Sequence, residues 1–308
     1  MDPKCILHKF KDGDVKLNLK TVSIWLAFIM VLSFAIGGLL IWTTGISNDD
    51  DFEVANLQRE NHIFSLEDAQ SACLNIDLSL GELTIKGGAK DSIETNFEYN
   101  YPILKPKVDY QVSEERAVLA INQPNASVDI PDDIRSEWIL HLDERTPTKL
   151  DVEVALGAVD MDLSCLNLTE FYLELSAGEV DVNLKNNSGL KDVYIETSFG
   201  EVNVDLKDNP ELEDVYIDSS FGDVFVDLSG DWEKDLNASL DMNFGSLTLD
   251  LPSNVGVRVG LQKNVVVVES SGLKIEDEHY VNEAYGKSDV TLNIDVELFM
   301  GEIDLNVV

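Results

Sequence analysis

The eleven residues ETSFGEVNVDL at 196–206 return almost unchanged as DSSFGDVFVDL twenty-two residues later. Aligned on its glycine, the unit occurs at Gly81, Gly157, Gly178, Gly200, Gly222, Gly245 and Gly301, with spacings of 21, 22, 22 and 23 residues through the central block. A fixed period of this length marks a repeat architecture, in which each unit is too small to bury its own apolar face and must stack on its neighbours.

The chemistry inside the unit names its secondary structure. Positions five, three and one before the glycine are mainly apolar, as in Leu173, Leu175 and Ala177 or Leu240, Met242 and Phe244. Positions two, four and six after it are apolar as well: Val202, Val204 and Leu206; Val224, Val226 and Leu228; Leu247, Leu249 and Leu251. A period of two predicts strands with one buried face, and all six positions are expected to point inward. The parity of the inward set differs on the two sides of the glycine, which a straight strand cannot accommodate, so a corner is expected at Gly157, Gly178, Gly200, Gly222, Gly245 and Gly301.

The predicted fold is all-β: a single-sheet-wall β-solenoid, parallel β-helix-like, with turns of about 22 residues, whose strands pair with the equivalent strands of neighbouring turns. Return segments (CLNLTEF, NNSGLKDV, DNPELEDV, DWEKDLNA) are expected to send Leu168, Leu190, Leu212 and Leu236 inward and to bend at Asn186 and Asn209-Pro210. The proline-interrupted strands of 86–150 are expected to cap the first turn, since a bare terminal turn would offer an open edge. Residues 254–272 and 288–308 supply the last turns.

One segment departs from this pattern. VSIWLAFIMVLSFAIGGLLIW, Val22 to Trp42, carries no charge over 21 residues and as a helix would span about 31 Å, the thickness of a bilayer core. Its length and the lack of a small-residue cleavage site favour a retained transmembrane helix over a signal peptide. Lys4, Lys9, Lys11, Lys16 and Lys20 precede it and NDDDFE follows, which orients the N-terminus to the cytoplasm and the remainder outside. The expected organisation is a cytoplasmic tail (1–21), a transmembrane helix (22–43), a stem (44–71) and an extracytoplasmic solenoid (72–308). Net charge is −36, and all but three of the 58 acidic residues follow the span. Such a surface repels phosphate backbones, so nucleic acid is excluded as a partner, while cations and basic partners are favoured.

Outward positions should stack into acidic columns: Glu179, Glu201 and Asp223 in one, Asp205 and Asp227 in another. Two readings stay open, a solvated acidic face or weak binding of a divalent cation such as calcium, for which no EF-hand-like loop is present. No cofactor is otherwise implied. Cys73 and Cys165 either pair outside the cell or stay as packed thiols. Asn125, Asn167, Asn186 and Asn237 each begin an Asn-x-Ser/Thr sequon. The sequence has no HExxH, no GxSxG and no phosphate-cradling glycine loop. Arg258 and Lys263, the basic residues of the late strands, have no acid partner at a spacing that suggests a polysaccharide lyase. The reading is that the chain is not an enzyme.

The units LGAVDMDLS, SAGEVDVNL and SFGEVNVDL, followed by LPSNVGVRV and by YVNEAYGKSDVTLNIDVELFMGEI, resemble the toast-rack or LiaF-like C-terminal domain of cell-envelope proteins, over roughly 72–308. The resemblance extends to the adhesin-type repeats of bacterial and archaeal surface proteins. It implies a non-catalytic envelope scaffold or adhesive module. The alternative it implies is a LiaF-like regulator that restrains a membrane histidine kinase, although LiaF-like proteins have several spans and this chain has one. The partners so implied are the membrane, an envelope protein, a sensor kinase or a surface glycan, and further copies of the chain.

Overall fold

The computed structural model describes residues 57–67, 69–124 and 133–308. The expected tail and transmembrane helix, and Asn125, lie outside the described residues. Among the described residues no helix is long and apolar enough to cross a membrane.

In chain order the strands are β1 (Gln58–Ser65), β2 (Ser71–Ala89), β3 (Ser92–Tyr99), β4 (Lys107–Ser113), β5 (Arg116–Asn122), β6 (Ser136–Asp143), β7 (Thr148–Asp162), β8 (Leu168–Asn183), β9 (Asp192–Asp205), β10 (Asp214–Asp227), β11 (Leu236–Leu251), β12 (Gly256–Ser271), β13 (Lys274–Glu276), β14 (His279–Val281) and β15 (Thr291–Val307). The long ones form a single parallel wall in the order β2-β7-β8-β9-β10-β11-β15-β12. Its glycines are in register from Gly81 through Gly157, Gly178, Gly200, Gly222 and Gly245 to Gly301.

The repeat forms this wall because each turn satisfies its backbone only on the next. Beyond the strands, the return segments continue the same ladder: the amides of Leu163, Leu184, Leu206 and Leu228 each donate to a carbonyl of the following turn. The core is the inside of the bend. In β9, Val193, Ile195 and Thr197 are buried before the glycine and Val202, Val204 and Leu206 after it. Leu168, Leu190, Leu212 and Leu236 close the third side, all fully buried. Each such aliphatic contributes about 1.5–3 kcal/mol on burial.

At the corner, Gly200 has φ +146°, and a Cβ there would lie 1.8 Å from the Gly178 carbonyl oxygen. The same approach recurs along the column, from Gly157 against Gly81 to Gly301 against Gly245. At Gly178, Gly200, Gly222, Gly245 and Gly301 a side chain is excluded twice over, by the backbone conformation and by the neighbouring turn, and at Gly157 by the neighbouring turn.

Three expectations are corrected and one, the bends of the return segments, is met. The residue just before the glycine does not face the core. Pairing skips the residue two before it, so that Ser219 and Phe221 pair with the next strand and Ser220 does not. Two successive side chains therefore point outward, as at a bulge, and the parity change falls there. The return turns bend at Asn186 as expected, with φ 59°, and at the matching Cys165 and Asp208, with φ of 58° and 57°; the Leu212 amide closes a turn on the Asn209 carbonyl over Pro210 at 3.2 Å. Asn209 is itself buried: its Oδ1 accepts from the Asn187 amide at 2.8 Å and its Nδ2 donates to the Leu206 carbonyl at 2.9 Å. Part of the expected stem is strand, because β1 pairs antiparallel with β3. Cys165 is a free, exposed thiol, so it does not pair with Cys73.

The two ends of the wall are built differently. At the first, β2 is flanked by β5 along its early half and by β6 along its late half, and these are covered by β4 and by β3 and β1. Gln123 fills the place where β5 and β6 part, accepting from the Leu80 amide (2.7 Å) and donating to the Ser136 hydroxyl (2.9 Å). At the other end β15 inserts between β11 and β12, out of chain order. Its Gly301 thereby continues the glycine column.

Candidate binding surface

Because side chains of equal position stand in register on strands about 4.8 Å apart, each outward position of the repeat becomes a column. Four residues before the glycine stand Asp77, Glu153, Glu174, Glu196, Asp218, Asp241 and Glu297, a carboxylate on every one of seven successive strands. This column was not among the expected ones, although the acid recurs at that place in every repeat. Burial raises the pKa of Asp218. Burial, then the charges of Asp218 and Glu297, raise that of Asp241. Two positions earlier on the same strands stand Tyr172, Tyr194 and Tyr216. Tyr172 donates to Glu174 and Tyr216 to Asp218, both at 3.2 Å. Burial and the surrounding carboxylates push both hydroxyls well above the usual tyrosine range.

The expected acidic positions divide between two columns beyond the corner. Glu179, Glu201 and Asp223 are in register just after the glycine. Glu201 accepts from the Asn203 side-chain Nδ2 at 3.3 Å and Asp223 from the Ser246 hydroxyl at 2.6 Å. Five after the glycine, Asp205 and Asp227 share the Lys207 ammonium at 3.1 and 2.7 Å. Burial alone would raise the Asp227 pKa, but hydrogen bonds from Lys207 and Ser229 outweigh it and hold the carboxyl low. Among the described residues no three His, Cys, Asp or Glu side chains converge as a metal ion requires. Where the small Ala158 interrupts the first column, a depression of about 350 Å³ opens among Glu82, Asp160, Glu179, Asp181 and Glu201.

Of the sequons, Asn186 is exposed in its return turn and Asn237 is exposed at the start of β11. Asn167 is half-buried, its Nδ2 donating to the Arg145 carbonyl at 3.0 Å.

Between the acidic faces, on the corner itself, runs a column of the opposite character. Leu80, Leu156, Ala177, Phe199, Phe221, Phe244, Met300 and Val265 stand in register immediately before the bend. The Phe199 and Phe221 rings lie parallel with centroids 5.1 Å apart, Phe221 and Phe244 likewise at 4.9 Å, and Phe299 meets Phe244 edge-on at 5.6 Å. Phe199, beside the short Ala177, is 53% exposed. The sequence shows this stripe as hydrophobic and assigns it to the core; the outward turn at the bulge makes it surface. The result is a narrow apolar ridge with carboxylates on both flanks, suited to contact with a surface that is apolar along its centre and basic at its margins.

No curated protein matches the chain. Among solved structures, a "putative cell adhesion protein" from Clostridium sporogenes is similar at 23% identity, covering 82% of this chain and 100% of that one, with a TM-score of 0.48. A "putative adhesin" from Bacteroides fragilis is similar at 11% identity over 80% and 97% of the two chains, with a TM-score of 0.31. A "putative lipid binding protein" from Parabacteroides distasonis is similar at 9% identity over 82% and 98%, with a TM-score of 0.38. Likenesses of this size carry no argument about a ligand. Residues 53–205, from ahead of β1 to the end of β9, match the family described as the N-terminal domain of toast_rack, DUF2154.

Proposed function

We propose that the chain is a membrane-anchored, extracytoplasmic binding module of the cell envelope, working by display rather than turnover. The observation that carries this reading is the corner ridge: aromatic and aliphatic side chains held outward in register by strands paired on both sides, with acidic columns on either side. A partner with apolar side chains along its contact line loses water against the ridge, while its basic groups meet the carboxylates, which set orientation and on-rate. The partner so defined is a basic envelope protein surface, of which the exterior part of a sensor kinase is one example. Anchoring rests on the uncharged Val22–Trp42 stretch and the lysines before it.

The test uses the full chain in detergent micelles and two probe peptides, one alternating lysine with leucine and one alternating lysine with serine. Phe199→Ala, Phe221→Ala and Phe244→Ala are combined; alanine already stands at this position in β8 as Ala177. The triple variant is expected to bind the lysine–leucine peptide about tenfold or more weakly, about 1.4 kcal/mol, with the lysine–serine peptide unaffected. Equal binding of the lysine–leucine peptide by variant and parent would remove the ridge from the mechanism.

A further inference from the structure

The wall is closed at one end and open at the other. Beyond β2 lie five further strands, β1 and β3–β6, and the outermost, β1 and β4, read QRENHIFS and KVDYQVS, polar and charged. At the far end β12 pairs on one side with β15 along its whole length. On its other side, among the described residues, only Arg258 and Val259 are paired, with β14. From Gly260 to Ser271 the strand presents a row of backbone donors and acceptors that no other described strand pairs.

The side chains of that edge differ from those of every wall strand before it. The seven-carboxylate column ends at Glu297 and is followed on β12 by Gln262. The column just after the bend ends at Glu302 and is followed by Val267. The corner ridge continues from Met300 to Val265. Val265 and Val267 are 63% and 61% exposed. The stretch GLQKNVVVV, 260–268, contains one lysine, no carboxylate and no proline. In a chain of net charge −36, Glu269 is the one carboxylate on the row from Gly260 to Ser271, and antiparallel pairing centred on Val266 sets it opposite Lys263 of the other strand. An open, β-branched edge with so little charge is a template for strand addition, and natural edges are ordinarily blunted by charge or proline.

We infer that the open edge of β12 is an interface for a second copy of this chain, pairing edge to edge about a two-fold axis near Val266. In the antiparallel arrangement this axis demands, Val265 of one copy stands opposite Val267 of the other. The exposed valines of both copies are then covered at once, and the contact is self-complementary and closes after two copies. Because the remaining surface of each copy is strongly acidic, salt strengthens the pairing by screening the repulsion between them.

The experiment is light scattering on the full chain in detergent micelles over a wide concentration range, with hydrogen exchange on the same samples. The expected result is a protein mass that rises toward two chains with concentration and with salt, while amides of 261–271 gain protection in step. Val265→Glu/Val267→Glu, which restores carboxylates to an exposed edge, is expected to weaken the pairing at least about tenfold and to leave thermal melting of the monomer unchanged. A mass of one chain at every concentration overturns the inference. So does a double-glutamate variant that pairs as the parent does, since the contact then lies elsewhere, in the membrane segment or on another face.

Discussion

A methyl group at Gly200 has no room: its Cβ would sit 1.8 Å from the Gly178 carbonyl oxygen, on a backbone with φ +146°. At Gly286, φ is +72° and nothing lies within 4 Å of the same added atom. The two sites separate conformational strain from steric exclusion. Gly200→Ala is expected to cost on the order of 3 kcal/mol, combining strain with overpacking between adjacent turns, and Gly286→Ala about 1 kcal/mol. Urea midpoints of the two variants measure the difference. The importance of the corner glycines is legible in the sequence because their spacing is the repeat. The role of Asn187 is not. Its neighbours, NNSG, read as a surface turn, yet its side chain is buried, with Nδ2 donating to the carbonyls of Leu163 and Leu184 at 2.9 and 2.8 Å and Oδ1 accepting from the Leu168 amide at 3.3 Å. Asn282 does the same for the carbonyls of Pro252 and Val255 without belonging to the repeat. An asparagine written among turn residues acquires this work only when the neighbouring turn supplies the carbonyls.

Along a strand, the strictest demand is that each outward side chain tolerate its own kind on both sides. Aromatic rings and tyrosine hydroxyls do so; carboxylates do so less well, and the pKa of Asp241 is raised first by burial and then by the charges of Asp218 and Glu297, while that of Asp218 is raised by burial. A carboxyl whose pKa is raised by folding takes up its proton more readily in the folded chain. The stability it contributes is therefore fully present below the ordinary aspartate value of 3.8 and is lost as pH rises through the raised folded value. Asp227, held low, has the opposite sign: its contribution is present above 3.8 and lost as pH falls through its lowered folded value. Asp218→Asn/Asp241→Asn is expected to stabilise the chain by about 1 kcal/mol at neutral pH, the scale of adjacent like-charge pairs. That advantage should shrink toward acid pH, where the parent aspartates protonate; chemical denaturation at both pH values checks the sign. Existence, length and pairing of β7 to β11 follow from period-two alternation. The outward turn of Phe199, Phe221 and Phe244 does not, because alternation alone assigns every apolar residue to the inside, and only the skipped pairing at Ser220 shows where two successive side chains face out.

For the whole molecule, the sequence proposes a sidedness that the described residues make measurable. Cys165 is an exposed free thiol on a return turn, whereas Cys73 is buried and Cys5 belongs to the expected cytoplasmic tail. A membrane-impermeant maleimide added to intact cells should label the parent chain and leave Cys165→Ser unlabelled. Labelling that appears only after lysis would place the sheet on the other side of the membrane. The sequence by itself determined the all-β class, the stacking of turns, the glycine corner and the acidity of the outward faces, since each of these is a local pattern written out several times. The family match over 53–205 begins ahead of the stretch whose repeats carry the resemblance, with the capping strands that periodicity does not describe. Only the tertiary structure decided that β15 enters between β11 and β12, that Gln123 seals the junction of β5 and β6, that the hydrophobic stripe at the corner is surface, and that one end of the wall is capped while the other stands open. These are relations between residues far apart in the chain or met once, fixed by which backbone edge remains free when the chain arrives, and a repeat written along a line carries no record of that.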